Sequence, residues 1–101
     1  MPIQDVNREK IRAVQTYLEE LFPNAELRTF AELYKDWQTY RVDFDVGENY
    51  RFSVTFAFFN DTPTDDIQTK LRDYRLAEQL RVAGQKPLLV TTAGVIIRTE
   101  G

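Results

Sequence analysis

The stretch from Gln38 to Phe59 constrains the fold more than any other part of the chain. Tyr40, Val42, Phe44 and Val46 alternate with polar neighbours, the chain passes Gly47-Glu48-Asn49, and Phe52, Val54, Phe56 and Phe58 then alternate in turn. A period of two belongs to a strand, because successive side chains point to opposite faces of a sheet. Two such runs joined through Gly and Asn, residues that tolerate positive φ, predict an antiparallel hairpin with strands over 38–46 and 51–59. A three-residue loop, 47–49, sets Phe44 opposite Phe52, Val42 opposite Val54 and, on the other face, Asp45 opposite Arg51.

That other face is what makes the hairpin informative. It carries Thr39, Arg41, Asp43 and Asp45 from one strand and Arg51, Ser53, Thr55 and Ala57 from the other. A helix laid on it would bury charged groups at a high desolvation cost unless each were paired. Helices are therefore expected on the Phe face alone, with the polar face open. The Phe-rich third strand would be an unprotected edge if it lay outermost, so it is expected either at the centre of the sheet or paired with a second copy of the chain.

The flanking segments supply the rest of the fold. Ile11, Val14, Leu18 and Leu21 recur at helical spacing, so residues 4–22 read as a helix, with Asp5 to complement its start and Pro23-Asn24 to stop it. Residues 25–34 alternate and read as a strand. Thr62, Pro63 and Asp65 resemble a helix start, with Thr62 as the cap. Ile67, Leu71, Tyr74, Ala77 and Leu80 then form one buried stripe of a helix ending at Gly84. Leu88 to Val90 is continuously apolar, as in a strand deep in a sheet, and Thr92-Ala93-Gly94 can turn the chain into a last strand over 95–98. The order α-β-β-β-α-β, with one short strand more, predicts a single two-layer α+β domain. Its sheet is mixed, the third and fourth strands parallel across the helical crossover, and both helices lie on one face.

Composition narrows the chemistry. A chain of 101 residues with 43% hydrophobic and 13% aromatic residues is a globular domain with one core. It has neither cysteine nor histidine. Thiolate nucleophiles, disulfides, zinc–thiolate sites and the commonest general base are thereby excluded. Catalysis would fall to carboxylates, Lys, Tyr or hydroxyls, and no cofactor is expected. The net charge of −3 disfavours a sequence-independent nucleic-acid binder. No apolar run approaches the ~18 residues of a membrane span, and the first ten residues hold no apolar signal region, so a cytoplasmic location is expected.

Asp43 and Asp45, two apart on one strand face, are the carboxylate pair best placed for Mg²⁺, with Glu48 from the turn. The element order also resembles the core of the PD-(D/E)XK nuclease family, in which an Asp on the second strand is followed on the third by an acid or Gln, any residue, and Lys. Asp43 or Asp45 matches the first position. Ser53, Val54, Thr55 and Phe56 supply neither the acid nor the lysine, which would have to come from Gln68 and Lys70 on the helix. The resemblance implies helices on both sheet faces and a degenerate Mg²⁺-dependent or nucleic-acid-associated domain. The α-β-β-β-α run is also similar to a double-stranded-RNA-binding domain, but Asp65 and Asp66 stand where that family grips phosphate with lysines. Lys70, Arg72, Arg75 and Arg81, interleaved with Asp73 and Glu78, read as a solvated helix face with short-range pairs.

The functional expectation is a small non-enzymatic protein-interaction domain of the accessory, immunity or inhibitor type, the kind bacteria and phages encode at this size. It acts through the open sheet face or a strand edge. The expected contact residues are Trp37, Thr39, Arg41, Arg51, Ser53 and Thr55, and the partner is another protein or a second copy in a homodimer.

Overall fold

A computed structural model describes residues 8–45 and 47–98. Helix α1 (Arg8–Leu21) buries Val14, Tyr17 and Leu18, which lie three and four apart and so share one face. Asp5 lies outside the described residues. Strand β1 (Glu26–Glu32) is shorter than its alternation suggests. It gives way to a 3₁₀ turn, Leu33–Lys35, closed by Asp36 in the left-handed region at φ 58°. Strand β2 (Trp37–Asp43) and strand β3 (Asn49–Thr55) form the hairpin.

The hairpin register differs from the one expected. Phe52 faces Tyr40 rather than Phe44, and the connection is five residues long, from Phe44 to Glu48. The displacement of the partner by four residues is even, so every side chain keeps its face. What fixes the longer loop is Phe44, which leaves the ladder to pack edge-on against Phe22 and Tyr50, at ring-centre distances of 5.5 and 5.3 Å. Tyr40 stacks on Phe52 at 5.2 Å in its place. The expected pairing of Asp45 with Arg51 is lost: Asp45 is exposed in the loop and Arg51 lies opposite Arg41.

Strand β3 ends at Thr55, not Phe59. Its last side chain accepts a hydrogen bond from the Phe58 backbone N–H at 3.1 Å and so caps helix α2 (Phe56–Asp61). Capping by Thr satisfies a donor that the first turn of a helix leaves orphaned. The consequence for packing is specific. Phe58 and Phe59 are adjacent yet both buried, at 1% and 0% exposure, which a helix returning over the core permits and an alternating strand does not. The Lys10 ammonium donates to the Phe59 carbonyl and ties α1 to this helix.

Thr62 does not start the next helix. It is buried at the end of α2, and a 3₁₀ turn, Thr64–Asp66, begins after Pro63 at φ −59°. The helix expected to run to Gly84 is broken in two, α3 (Ile67–Asp73) and α4 (Leu76–Ala83). Arg75 sits between them in the left-handed region at φ 56°. The Gln79 amide donates to the Tyr74 carbonyl at 2.7 Å, and the Tyr74 hydroxyl donates to the Thr92 carbonyl at 3.3 Å. The break brings Leu76 and Leu80 into the same core as Ile67 and Leu71, whereas Tyr74 and Ala77 are only half-buried. Gly84, at φ 62°, ends α4 as expected, donating to Leu80 O at 2.9 Å. Strands β4 (Leu88–Thr91) and β5 (Gly94–Ile97) close the chain as a hairpin turning at residues 92 and 93.

The result is one α+β domain with a five-stranded mixed sheet in the order β1-β2-β3-β4-β5, parallel only between β3 and β4. Strand β3 lies at its centre, and the phenylalanines that follow Phe52 pass into α2. All four described α-helices contribute to one hydrophobic cluster with the sheet residues Tyr40, Val42, Phe52, Val54, Leu88 and Val90, so they share one sheet face. The second helical layer that the nuclease resemblance implies is not found among the described residues. The radius of gyration, 12.8 Å, matches the ~13 Å of a single domain this long.

Candidate functional site

The face without helices is laid out by three rows of paired residues. Across the middle run Phe30, Thr39, Ser53, Leu89 and Ile96. On one side of it run Arg28, Arg41 and Arg51, and on the other Glu32, Trp37 and Thr55. All six expected contact residues therefore share this face. They do not all reach its surface. Thr39 is 2% exposed and Ser53 0%, flanked in their row by the larger Phe30 and Leu89. Thr55 is half-buried and occupied as the α2 cap. Trp37 is half-buried, and Arg41 and Arg51 are exposed.

The buried hydroxyls belong to a network centred on Glu32. The Trp37 indole N–H donates to Glu32 Oε2 at 2.8 Å and the Thr39 hydroxyl donates to the same oxygen. The Ser53 and Thr39 hydroxyls lie 2.8 Å apart; because Thr39 directs its hydroxyl hydrogen to Glu32, Ser53 donates to Thr39. These hydrogen bonds, from Thr39 first and Trp37 second, with Lys35 and Arg98 adding attraction, hold the Glu32 carboxyl below its ordinary pKa. Hydrogen bonds to the ionised form favour it. Lys35 Nζ and the Arg98 guanidinium carbon stand 5.4 and 4.9 Å from the centre of the Trp37 ring. Each such contact is worth about 0.5–1 kcal/mol at an exposed site. Trp37 is thus held by its edge and its face.

The arginine row is unevenly neutralised. Arg28 pairs with Glu26 at 3.0 Å and reaches Asp43 at 3.9 Å, while Arg41 pairs with Asp43 at 2.8 Å. Arg51 makes no ion pair within 4.0 Å among the described residues. Like charges directly opposite on neighbouring strands cost stability, of order a few tenths of a kcal/mol. Beside Arg51 a notch of about 320 Å³ opens, lined by Phe30, Glu32, Lys35, Thr39, Arg51 and Arg98. Phe30 is half exposed, and Leu33 and Tyr34 project from the 3₁₀ turn at the same end of the sheet.

The weaker candidates are dispersed. Asp43 is engaged by two guanidinium groups, and Asp45 and Glu48 lie in the exposed loop beside Phe44 and Tyr50. No group of three His, Cys, Asp or Glu able to hold a metal ion occurs among the described residues. Lys70 and Arg72 are on α3, Arg75 is in the break and Arg81 is on α4, so they form no single helical ridge. No described helix is long and apolar enough to cross a membrane.

Glu32, Lys35 and Arg98 were not among the expected site residues. Glu32 was legible only as a member of an alternating run. Its place beside Trp37 depends on the β1–β2 register, and Arg98 arrives from beyond β5, distant in sequence. No protein-family model matches the chain, and no curated protein or solved structure matches it.

Proposed function

We propose that this protein is a non-enzymatic protein-interaction domain of the accessory or inhibitor type, docking its partner on the helix-free face of the sheet. The observation that carries this reading is the row Arg28–Arg41–Arg51, which aligns like charges across three strands of an open face and leaves Arg51 without an ion pair among the described residues. Such a local conflict costs stability and is characteristic of surfaces kept for binding. Around it lie an immobilised Trp and exposed Phe30 and Tyr34, and Trp, Tyr and Arg are the residue types that dominate binding hot spots.

The test is capture of partners by the tagged protein from lysate of the cells that make it, after nuclease treatment, compared with Arg41→Glu/Arg51→Glu. Thr55 is avoided because its substitution would uncap α2. A protein retained by the wild type and by Arg81→Glu, but released by the double variant, supports the reading. Retention by the double variant, verified as folded, removes it.

The strand-edge form of the same reading falls on β5. Its Ile96 and Ile97 are 55% and 52% exposed, whereas the opposite edge, β1, carries Glu26, Arg28 and Glu32, the kind of charge that discourages edge pairing. Self-association through β5 would appear as a concentration-dependent mass in sedimentation, abolished by Ile96→Lys.

A further inference from the structure

We propose that the notch between Lys35 and Arg51 receives a carboxylate, an Asp or Glu side chain on an acidic segment of the partner protein. This rests on the docking-face reading and supplies the chemistry of its occupant.

The notch is built by distant segments: Phe30 and Glu32 from β1, Lys35 from the 3₁₀ turn, Thr39 from β2, Arg51 from β3 and Arg98 after β5. Its own carboxylate, Glu32, accepts from Trp37 and Thr39 through Oε2. Neither Lys35 nor Arg51 has a carboxylate within 4.0 Å among the described residues. Two cations of a walled depression are therefore available for bonds from charged donors, which are stronger than neutral ones. Among the described residues, the strand rows of this face and the notch carry Arg28, Lys35, Arg41, Arg51 and Arg98 against Glu26, Glu32 and Asp43, in a chain whose net charge is −3. This excess of positive groups among the described residues favours an acidic partner at this face.

A protein carboxylate fits better than a nucleic-acid phosphate for two reasons. The overall negative charge opposes the long anionic backbone of a nucleic acid but not a short acidic segment. The apolar margin of Phe30, Leu33 and Tyr34 also matches the mixed character of a protein interface.

The experiment is an NMR titration of the full chain with polyglutamate, with polyglutamine and oligothymidylate as comparison probes. The expected result is that polyglutamate shifts the Trp37 indole N–H and the amides of Lys35, Thr39 and Arg51, that added salt reverses the shifts, and that polyglutamine does nothing. Lys35→Glu/Arg51→Glu should weaken polyglutamate binding by about tenfold or more, Arg51→Lys should retain most of it, and Arg81→Glu should not change it. Absence of shifts, shifts confined to the helices, or an unaffected double variant would overturn the assignment. Tighter binding of oligothymidylate at the same amides would overturn it in favour of a phosphate site. If polyglutamate fails while Arg41→Glu/Arg51→Glu still releases a captured protein, the docking face stands and only its acidic occupant falls.

Discussion

Thr55 shows how one side chain decides an element. Its hydroxyl ends a strand and begins a helix in the same step, by taking the Phe58 N–H. Thr55→Ala should lower the unfolding free energy by about 1 kcal/mol, and Thr55→Ser should restore most of it, as read by urea denaturation. Glu32 makes a second residue-scale prediction. Its folded pKa is depressed below the ordinary 4.5, so its contribution to stability is present above that value and disappears as pH falls through the folded pKa. Denaturation profiles of the wild type should lose stability on acidification below about pH 4.5, and Glu32→Gln should remove that part of the slope. An unchanged slope in Glu32→Gln would mean that the Trp37 and Thr39 bonds to Glu32 do not form.

Elements follow less directly from local pattern. The alternation in RFSVTFAFF continues through Phe56 and Phe58, and nothing in the period alone marks the change at Thr55. The signal was the Thr itself, three residues before the adjacent Phe58 and Phe59, which no strand can bury on one face. Phe59→Ala tests the outcome, because a strand would place Phe59 on the open face at little cost. In α2 the truncation should cost about 3–5 kcal/mol, the range for large core aromatics. The broken crossover helix has the same moral. Ile67, Leu71, Tyr74, Ala77 and Leu80 keep helical spacing across residue 75, so the sequence pattern ran on where the chain does not. Arg75 occupies a left-handed position that costs roughly 1 kcal/mol for a residue with a Cβ. Arg75→Gly should therefore leave stability unchanged or raise it by up to about 1 kcal/mol, and a thermal melt that drops sharply would contradict the geometry. The hairpin register departs from the local pattern for a tertiary reason: Phe44 leaves the ladder to pack against Phe22 and Tyr50, and Phe22 lies outside the hairpin altogether.

At the scale of the whole molecule, one property of the sequence carried through every local error. The parity of the apolar residues in β2 and β3 survived the register shift, because an even displacement leaves faces intact. It therefore placed the helices on one side and Trp37, Arg41 and Arg51 on the other. The candidate site was legible to that extent and no further. The notch needs the β1–β2 register, the 3₁₀ turn and the return of β5 to bring Glu32, Lys35 and Arg98 beside Trp37 and Arg51, and no local pattern encodes those meetings. The open basic face of an acidic chain is the feature on which the functional account depends. Its most direct test is the comparison of wild type and Arg41→Glu/Arg51→Glu in nuclease-treated capture, with circular dichroism to confirm that both are folded. The account predicts a protein retained by the wild type and lost by the variant; equal retention by both would contradict it.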